Sequence, residues 1–456
     1  MLDPLLRQEK TCPRRQNDDR EAFNKIEKAN SLGYGLDRQP NADHHARREA
    51  LAKKAGGLVV LFAPLEGRDA VYAFRQEDNF YYLSGLTEPG EALPISPSLG
   101  AKDNSPARAY TEILFLPPHN LRLEKFTGPK LGADNPDAVR ITGLDRVEEM
   151  GKLPDEVSKL IAAGRPVVYT DVPAEGETSA SAEPMSFLHR TNAFLSFQDV
   201  KPMLSSLRTS KDAGEAVLIR KAVDVSEAAH FAAMKAVKPN VTEFEISALM
   251  QYEWGKRGCE RPSYSPIVGS GHNSTILHYS ENTYSMKSGD VVVIDAAGEY
   301  SVYAADITRT LPVNGHFTPR QREIYDIVLG AQEAAMAAFQ SGKSMLFGDA
   351  EDSLNKVARD YIKSHGKDLH GQSLDQYFIH GLGHYIGLNV HDPGDYKSPL
   401  GPGSAFTIEP GIYIPEENIG VRIEDDYIVD ADGKLIKLSA ALPSKAADLE
   451  KAMGGK

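Results

Sequence analysis

Residues 288–313 read SGDVVVIDAAGEYSVYAADITRTLPV, and the two acids in this stretch decide the fold. Asp295 closes the run VVVI, which has the character of a buried strand. A carboxylate is almost never fully buried unless it is paired or bound to a metal. Asp306 lies eleven residues further on, in a segment expected to pair antiparallel with the first across the turn EYSVY. The two side chains then meet on one face. Carboxylates that close repel, and one is forced to take up a proton unless a divalent cation removes the conflict.

The pattern occurs twice. Gly289 precedes Asp295 by six residues, and in PGSAFTIE Gly403 precedes Glu409 by six. Each is followed by a second β segment with another acid, Asp306 in the first copy and Glu424, after GVRI, in the second. The repeated unit implies a domain built from two related halves. His384, within HGLGHYIGLNVHD (380–392), adds a nitrogen donor. Taken singly, each acid reads equally well as a salt-bridged or surface carboxylate. As a set, each following a β-run, four carboxylates and one histidine form an oxygen-rich site for two divalent ions, with hard ligands favouring manganese or a similar metal. Two ions ~3.5–4 Å apart lower the pKa of a bridging water and clamp a tetrahedral intermediate. His380 and His384 are spaced to share a helix face, but Gly381 and Gly383 argue for a turn or strand that admits close backbone contact.

Outward from these strands the second half is helical. KDAGEAVLIRKAVDVSEAAHFAAMKAV (211–237) has apolar residues at helical spacing, Thr242 and Glu245 form a capping box before a helix that Gly258 can end, and a third helix starts at Thr318–Pro319 and stops by Gly342. Helices gathered against antiparallel strands describe an α+β domain. The first half differs. From HHARREALAKKAG (44–56) onward, helical stretches alternate with the apolar runs GLVVLFAP, VYAF, NFYYLSGL, TEILFLP and PVVYTDV, the pattern of an α/β domain that closes near QDVKPMLSSLR. The expected organisation is a charged arm or extension over 1–43, with a short helix at DDREAFNKIEKAN or disorder, an α/β domain over 44–203, and the α+β domain over 204–456.

A chain of 456 residues exceeds one hydrophobic core, in keeping with two domains. The net charge of −13 argues against a nucleic-acid surface, which needs a basic patch. Cys12 and Cys259 are too few for a disulfide framework or a CxxC metal site and read as two free thiols. No apolar run approaches the ~20 residues of a membrane helix. The start lacks an apolar signal core, so the expectation is a cytoplasmic protein, although a chain trimmed of a secretory leader would read the same.

Five segments, HYSEN, VIDAAGEYSVYAADITRT, HGLGHYIGLNVHD, TIEPGIY and GVRIEDD, resemble in this order the signatures of the metallopeptidase family that contains aminopeptidase P and prolidase. FRQEDNFYYLSGLTEPGEA resembles the N-terminal domain of aminopeptidase P. The resemblance implies an N-terminal creatinase-like α/β domain and a C-terminal "pita-bread" α+β domain with pseudo-twofold halves. It implies metal ligands at Asp295, Asp306, His384, Glu409 and Glu424, with Asp306 and Glu424 bridging two ions, most simply Mn²⁺, with Co²⁺ or Zn²⁺ as alternatives. It places His278 near the scissile bond, His391 at the tetrahedral intermediate, His380 in the pocket for proline, and Tyr413 and Arg422 as partners around the ligands. Read without the family, His278, His380 and His391 suit structural roles as well, Arg422 suits simple neutralisation of a carboxylate, and Tyr413 suits the core.

The implied reaction is hydrolysis of the bond between an N-terminal residue and proline by a hydroxide bridging the two ions. Glu409 would carry the nucleophile's proton to the leaving nitrogen. The implied substrate is a peptide with proline second, and the implied assembly is a homo-oligomer, dimer or tetramer, with neither nucleic acid nor membrane as partner. Three rivals share the scaffold: a prolidase restricted to dipeptides, a methionine aminopeptidase, which lacks so large an N-terminal domain, and a non-catalytic binding module, which typically has lost ligands. Creatinase-like enzymes share the two-domain plan without the metal.

Overall fold

The computed structural model describes residues 37–66, 73–97, 110–162, 167–172, 182–191, 195–348 and 353–454. Most of the charged arm, including DDREAFNKIEKAN and Cys12, lies outside the described residues, as does the start of VYAF.

The N-terminal sheet contains β1 (Leu58–Phe62), β2 (Ala92–Pro97), β3 (Tyr110–Leu116), β4 (Arg146–Glu149), β5 (Val167–Thr170) and β6 (Ser196–Asp199), in the order β4-β3-β2-β1-β5-β6. β1–β2 and β2–β3 are antiparallel, and the other pairs are parallel. Apolar side chains from β1 and β3 enter both cores of this half. Val59, Leu61 and Leu114 join the large cluster continuous with the C-terminal half, whereas Leu58, Val60, Ile113 and Phe115 pack in a smaller one. Alternation along a strand directs neighbours to opposite faces. Helix α1 (Asn41–Ala55) precedes β1. The apolar run NFYYLSGL is a helix, α2 (Asp78–Ser84), because the Glu77 side chain caps it at Phe80 N and Gly85, at φ 70°, closes it.

Helix α3 (Lys201–Arg208) crosses the point where the sequence marks the end of the first domain. Three long helices follow, each opened by a capping box: α4 (Ala213–Ala236) at Asp212/Glu215, α5 (Glu243–Gly255) at Thr242/Glu245, and α6 (Pro319–Ala338) at Thr318/Gln321. α5 and α6 end three to four residues before Gly258 and Gly342, both of which have positive φ. Helix α7 (Leu354–Ser364) carries no counterpart in the sequence reading, although Ser353 caps it and Leu354, Ala358 and Ile362 form its buried stripe.

The C-terminal strands are β7 (Arg261–Pro262), β8 (Ile267–Ser270), β9 (Val291–Asp295), β10 (Gly298–Glu299), β11 (Thr308–Pro312), β12 (Ala405–Ile408), β13 (Gly411–Ile414), β14 (Ile419–Arg422), β15 (Asp425–Val429) and β16 (Leu435–Lys437). β9 lies between β8 and β11, antiparallel to both, with Asp295 opposite Ile267 and Thr308. β12 pairs antiparallel with β15, placing Ile408 opposite Asp425, and β13–β14 form a hairpin between them. Gly289 and Gly403, the glycines that open the repeated unit, both have positive φ, 93° and 83°. A bridge between Thr308 and Glu424 joins the two halves. Among the described residues no helix is long and apolar enough to cross a membrane.

Candidate active site

The strand ends carrying the acids converge on one cavity of about 590 Å³, lined among others by Asp295, Asp306, His384, Glu409, Glu424, His278, His380, His391, Tyr413 and Arg422. All ten residues singled out in the sequence thus border one space. One ligand atom each from Asp306, His384 and Glu424 lie within 4.8 Å of one another. His384 Nε2 is 3.4 Å from Asp306 Oδ2 and 3.5 Å from Glu409 Oε1. Its Nδ1 lies 3.1 Å from the Tyr385 carbonyl, a contact that directs Nε2 toward the acids.

Local backbone geometry sets these positions. Glu409 N donates to Leu382 O at 2.7 Å and Thr407 N to His384 O at 2.9 Å, so the segment bearing His384 runs beside β12. Only glycine fits between them at 383, where a Cβ would stand 2.1 Å from the Thr407 carbonyl oxygen. Asp306 N donates to Asp426 Oδ2 at 2.9 Å, and Thr308 Oγ1 donates to Glu424 Oε2 at 2.6 Å.

Asp295 accepts at both oxygens, from Tyr264 OH at 2.5 Å and Arg422 Nη2 at 2.6 Å. A carboxylate has about four lone-pair positions, so these bonds leave it able to ligate. Arg422 Nη1 also donates to Tyr413 OH at 2.8 Å, and Tyr413 OH lies 2.8 Å from His380 Nε2. Arg422 and Tyr413 are both buried, each tied to an acid or histidine of the site.

Electrostatics test whether this set suits a metal. Burial, followed by repulsion from Asp306, Glu409 and Asp295, pushes Glu424 well above the ordinary carboxylate range. Burial likewise raises Asp295, and it raises Glu409 to about 7. Burial would raise Asp306 too, but its contact with His384 outweighs this and holds it low. Burial would lower His384, yet Asp306 and Glu409 carry it to about 9. Oδ1 of Asp306 is buried without a hydrogen-bond partner. A buried carboxylate oxygen left bare among like charges is the signature of a cation site, so the donor set fits divalent metal.

The histidines differ in setting. His380 is mostly buried and lowered to about 4 by burial and then Arg422. His391 is exposed toward the cavity, with its ring centroid 4.3 Å from that of His384, and burial followed by His384 lowers it. His278 is exposed on the cavity wall.

The sequence reading did not single out Tyr264, Asp426, Thr308, Phe347 or Tyr396. Asp426 alone left a local signal, as the third consecutive acid in IEDD on an otherwise apolar strand. Tyr264 reaches Asp295 from 31 residues away, and nothing near it in sequence marks it.

Residues 217–431 match Metallopeptidase family M24, and residues 44–169 match Aminopeptidase P, N-terminal domain. The chain is 35% identical to the Xaa-Pro aminopeptidase of Haemophilus influenzae over 418 residues, covering 87% of this chain and 93% of that protein. It is 33% identical to Xaa-Pro aminopeptidase 3 of Homo sapiens over 412 residues, covering 86% and 80%. Among solved structures, aminopeptidase P of Escherichia coli in its low-pH form superimposes with a TM-score of 0.78 at 31% identity, covering 91% of this chain and 98% of that one. With intact carboxylates and histidine around one cavity, and sequence kinship across both domains, the chain belongs to metallopeptidase family M24, of the branch that carries an aminopeptidase P N-terminal domain.

Proposed function

We propose that the chain is an Xaa-Pro aminopeptidase that hydrolyses the bond between an N-terminal residue and proline, with Asp295, Asp306, His384, Glu409 and Glu424 holding two divalent ions. The observation that carries this reading is the buried acid–histidine cluster at the wall of an open 590 Å³ cavity, with three further histidines facing the same space. The oxygen-rich donors favour Mn²⁺, with Co²⁺ or Zn²⁺ as alternatives. When bound, the ions supply a nucleophile at neutral pH and Lewis-acid polarisation of the scissile carbonyl.

The chain's own residues supply the rest. Glu409 accepts a proton on its carboxylate and returns it to the proline nitrogen, which leaves as a secondary amine. His391 and His278, exposed on the cavity wall, donate hydrogen bonds to the carbonyl oxygen as negative charge develops there. His380, held by Tyr413, borders the space for the proline ring. Arg422 orients Asp295 and opposes the upward shift that burial gives its carboxyl. The same reading carries a homo-oligomer, dimer or tetramer, a cytoplasmic setting, an N-terminal domain over 44–203 and a catalytic domain over 204–456.

The test is an assay on chelated protein, with and without Mn²⁺, comparing an Xaa-Pro dipeptide with Gly-Pro-Ala. Metal-dependent release of the first residue from both is expected. Cleavage of the dipeptide alone would make the enzyme a prolidase. Cleavage of neither would overturn the enzymatic reading in favour of a binding module.

A further inference from the structure

His391 faces the cavity, yet among the described residues neither of its ring nitrogens makes a hydrogen bond; its one ring contact is with His384. The backbone that carries it therefore sets its position. That backbone is held by the next residue. Asp392 is fully enclosed, accepting at Oδ1 from Arg208 Nη2 (2.5 Å) and Asn389 N (3.1 Å), and at Oδ2 from Lys211 Nζ (2.9 Å). Asn389 Oδ1 accepts from His391 N at 3.1 Å, and Asp392 N donates to Tyr385 O at 3.0 Å, beside the ligand His384.

The cations that grip Asp392 come from the end of α3 and the short link to α4, and the N-terminal domain reaches the same point. Arg208 donates to Asn79 Oδ1 at 2.7 Å and touches Asp78 at 3.5 Å. Asn389 Nδ2 lies 3.3 Å from Asp78 Oδ2, and Arg75 bonds both Asp78 (2.5 Å) and the Leu388 carbonyl (2.7 Å). The side chains of Arg208, Lys211 and Asp392 are at most 3% exposed, so this is a desolvated lattice that holds one geometry.

We propose that Asp392 is a positioning residue for His391, and that the N-terminal domain takes part in catalysis through Arg75, Asp78 and Asn79, which brace the same loop. This rests on the reading that His391 touches the reacting carbonyl. Two cations meet at one carboxylate, and three backbone groups held on this loop, Leu388 O, Asn389 N and His391 N, lie within three residues of His391. A displacement of about 1 Å at a reacting group costs on the order of 100-fold in rate.

A double-mutant cycle on the full-length, Mn²⁺-loaded enzyme tests this, with D392N, H391A and both together, reading kcat, KM and bound metal on Gly-Pro-Ala. The expected result is a fall of about 10- to 100-fold in kcat for D392N, with KM and metal content near parental. In the H391A background D392N should then change kcat by less than about twofold. If the two losses multiply while H391A is itself impaired, the positioning role is overturned and the role of His391 stands. A parental rate in H391A would overturn both. Should D392N leave Arg208 and Lys211 too poorly paired for folding, D78N enters the same cycle from the N-terminal side, where Asp78 is partly solvated. Multiplying losses there overturn the proposal equally.

Discussion

Gly383→Ala adds a single methyl group to the site, and its consequence follows from one distance. The new Cβ would lie 2.1 Å from the Thr407 carbonyl oxygen and 2.8 Å from its carbon, where contacts below 3.0 Å are essentially never tolerated. Both neighbours are backbone, so no side chain can turn aside. The His384 segment and β12 must separate by roughly 1 Å. That separation strains three hydrogen bonds, from Thr407 N to His384 O (2.9 Å), from Glu409 N to Leu382 O (2.7 Å) and from His384 N to Thr407 Oγ1 (3.1 Å). At about 1 kcal/mol each, the cost is roughly 3 kcal/mol. Because metal sites tolerate only about 0.2 Å in ligand distance, much of this falls on the proposed metal site that would take His384 and Glu409. Calorimetric titration of the chelated variant with Mn²⁺ should show one of two ions bound on the order of 100-fold more weakly. Gly401→Ala, whose Cβ meets nothing within 4 Å, should leave binding unchanged. Parental affinity for both ions in Gly383→Ala, or an equal effect at Gly401, would refute the claim that close backbone approach sets His384.

Asp306→Ala and Glu424→Ala should each abolish turnover and release metal, since each acid serves both ions in the proposed arrangement; metal analysis with a peptide assay checks it, and parental turnover would refute the assignment. His391→Ala should slow turnover by about 10²- to 10³-fold while keeping its metal, read by the same pair of measurements; loss of metal would contradict its role. Glu227, outside the site, is raised to about 7 by burial and then by Asp224, while its Oε1 accepts from Ala441 N and Leu442 N. A carboxyl raised from 4.5 in this way contributes stability that is fully present below that value and lost as pH rises through about 7. Urea melts should therefore show Glu227→Gln gaining on the parent by roughly 2 kcal/mol between pH 5 and pH 8, and a constant gap would refute this.

What the sequence discloses and what it withholds divide along contact range. The helix starts at Thr242 and Thr318 are legible because the capping residues sit three positions apart on one turn. The acids that end apolar strands are legible because a charge there conflicts with its neighbours. Asp295 is expected to lie across from the segment of Asp306, and the ladder sets it opposite Thr308, two residues beyond. NFYYLSGL is ambiguous by composition, since a short apolar run suits a buried strand or a buried helix, and the cap at Glu77 and closure at Gly85 settle it as helix α2. Tyr264 is invisible because β8 brings it to Asp295 only through a pairing that no local pattern specifies. The cations around Asp392 are invisible for the same reason, Lys211 and Arg208 lying 181 and 184 residues from the carboxylate they meet.

The two halves explain why the acids are grouped as they are. One half contributes Asp295 and Asp306, the other Glu409, Glu424 and Asp426, and several of the contacts between them run through these acids. Thr308 exchanges backbone hydrogen bonds with Glu424 across the seam and also holds its carboxylate, while Asp426 of one half accepts from Asp306 N of the other. Neither half alone holds the proposed ligand set, which is complete only where the halves dock. That docking brings five carboxylates together against Arg422 and His384, which touch Asp295, Asp306 and Glu409 and leave Glu424 and Asp426 raised well above the ordinary range. Apolar residues of similar size would make a more stable seam. The fold accepts a seam whose like charges repel, and in the proposed arrangement that repulsion is what divalent cations would relieve.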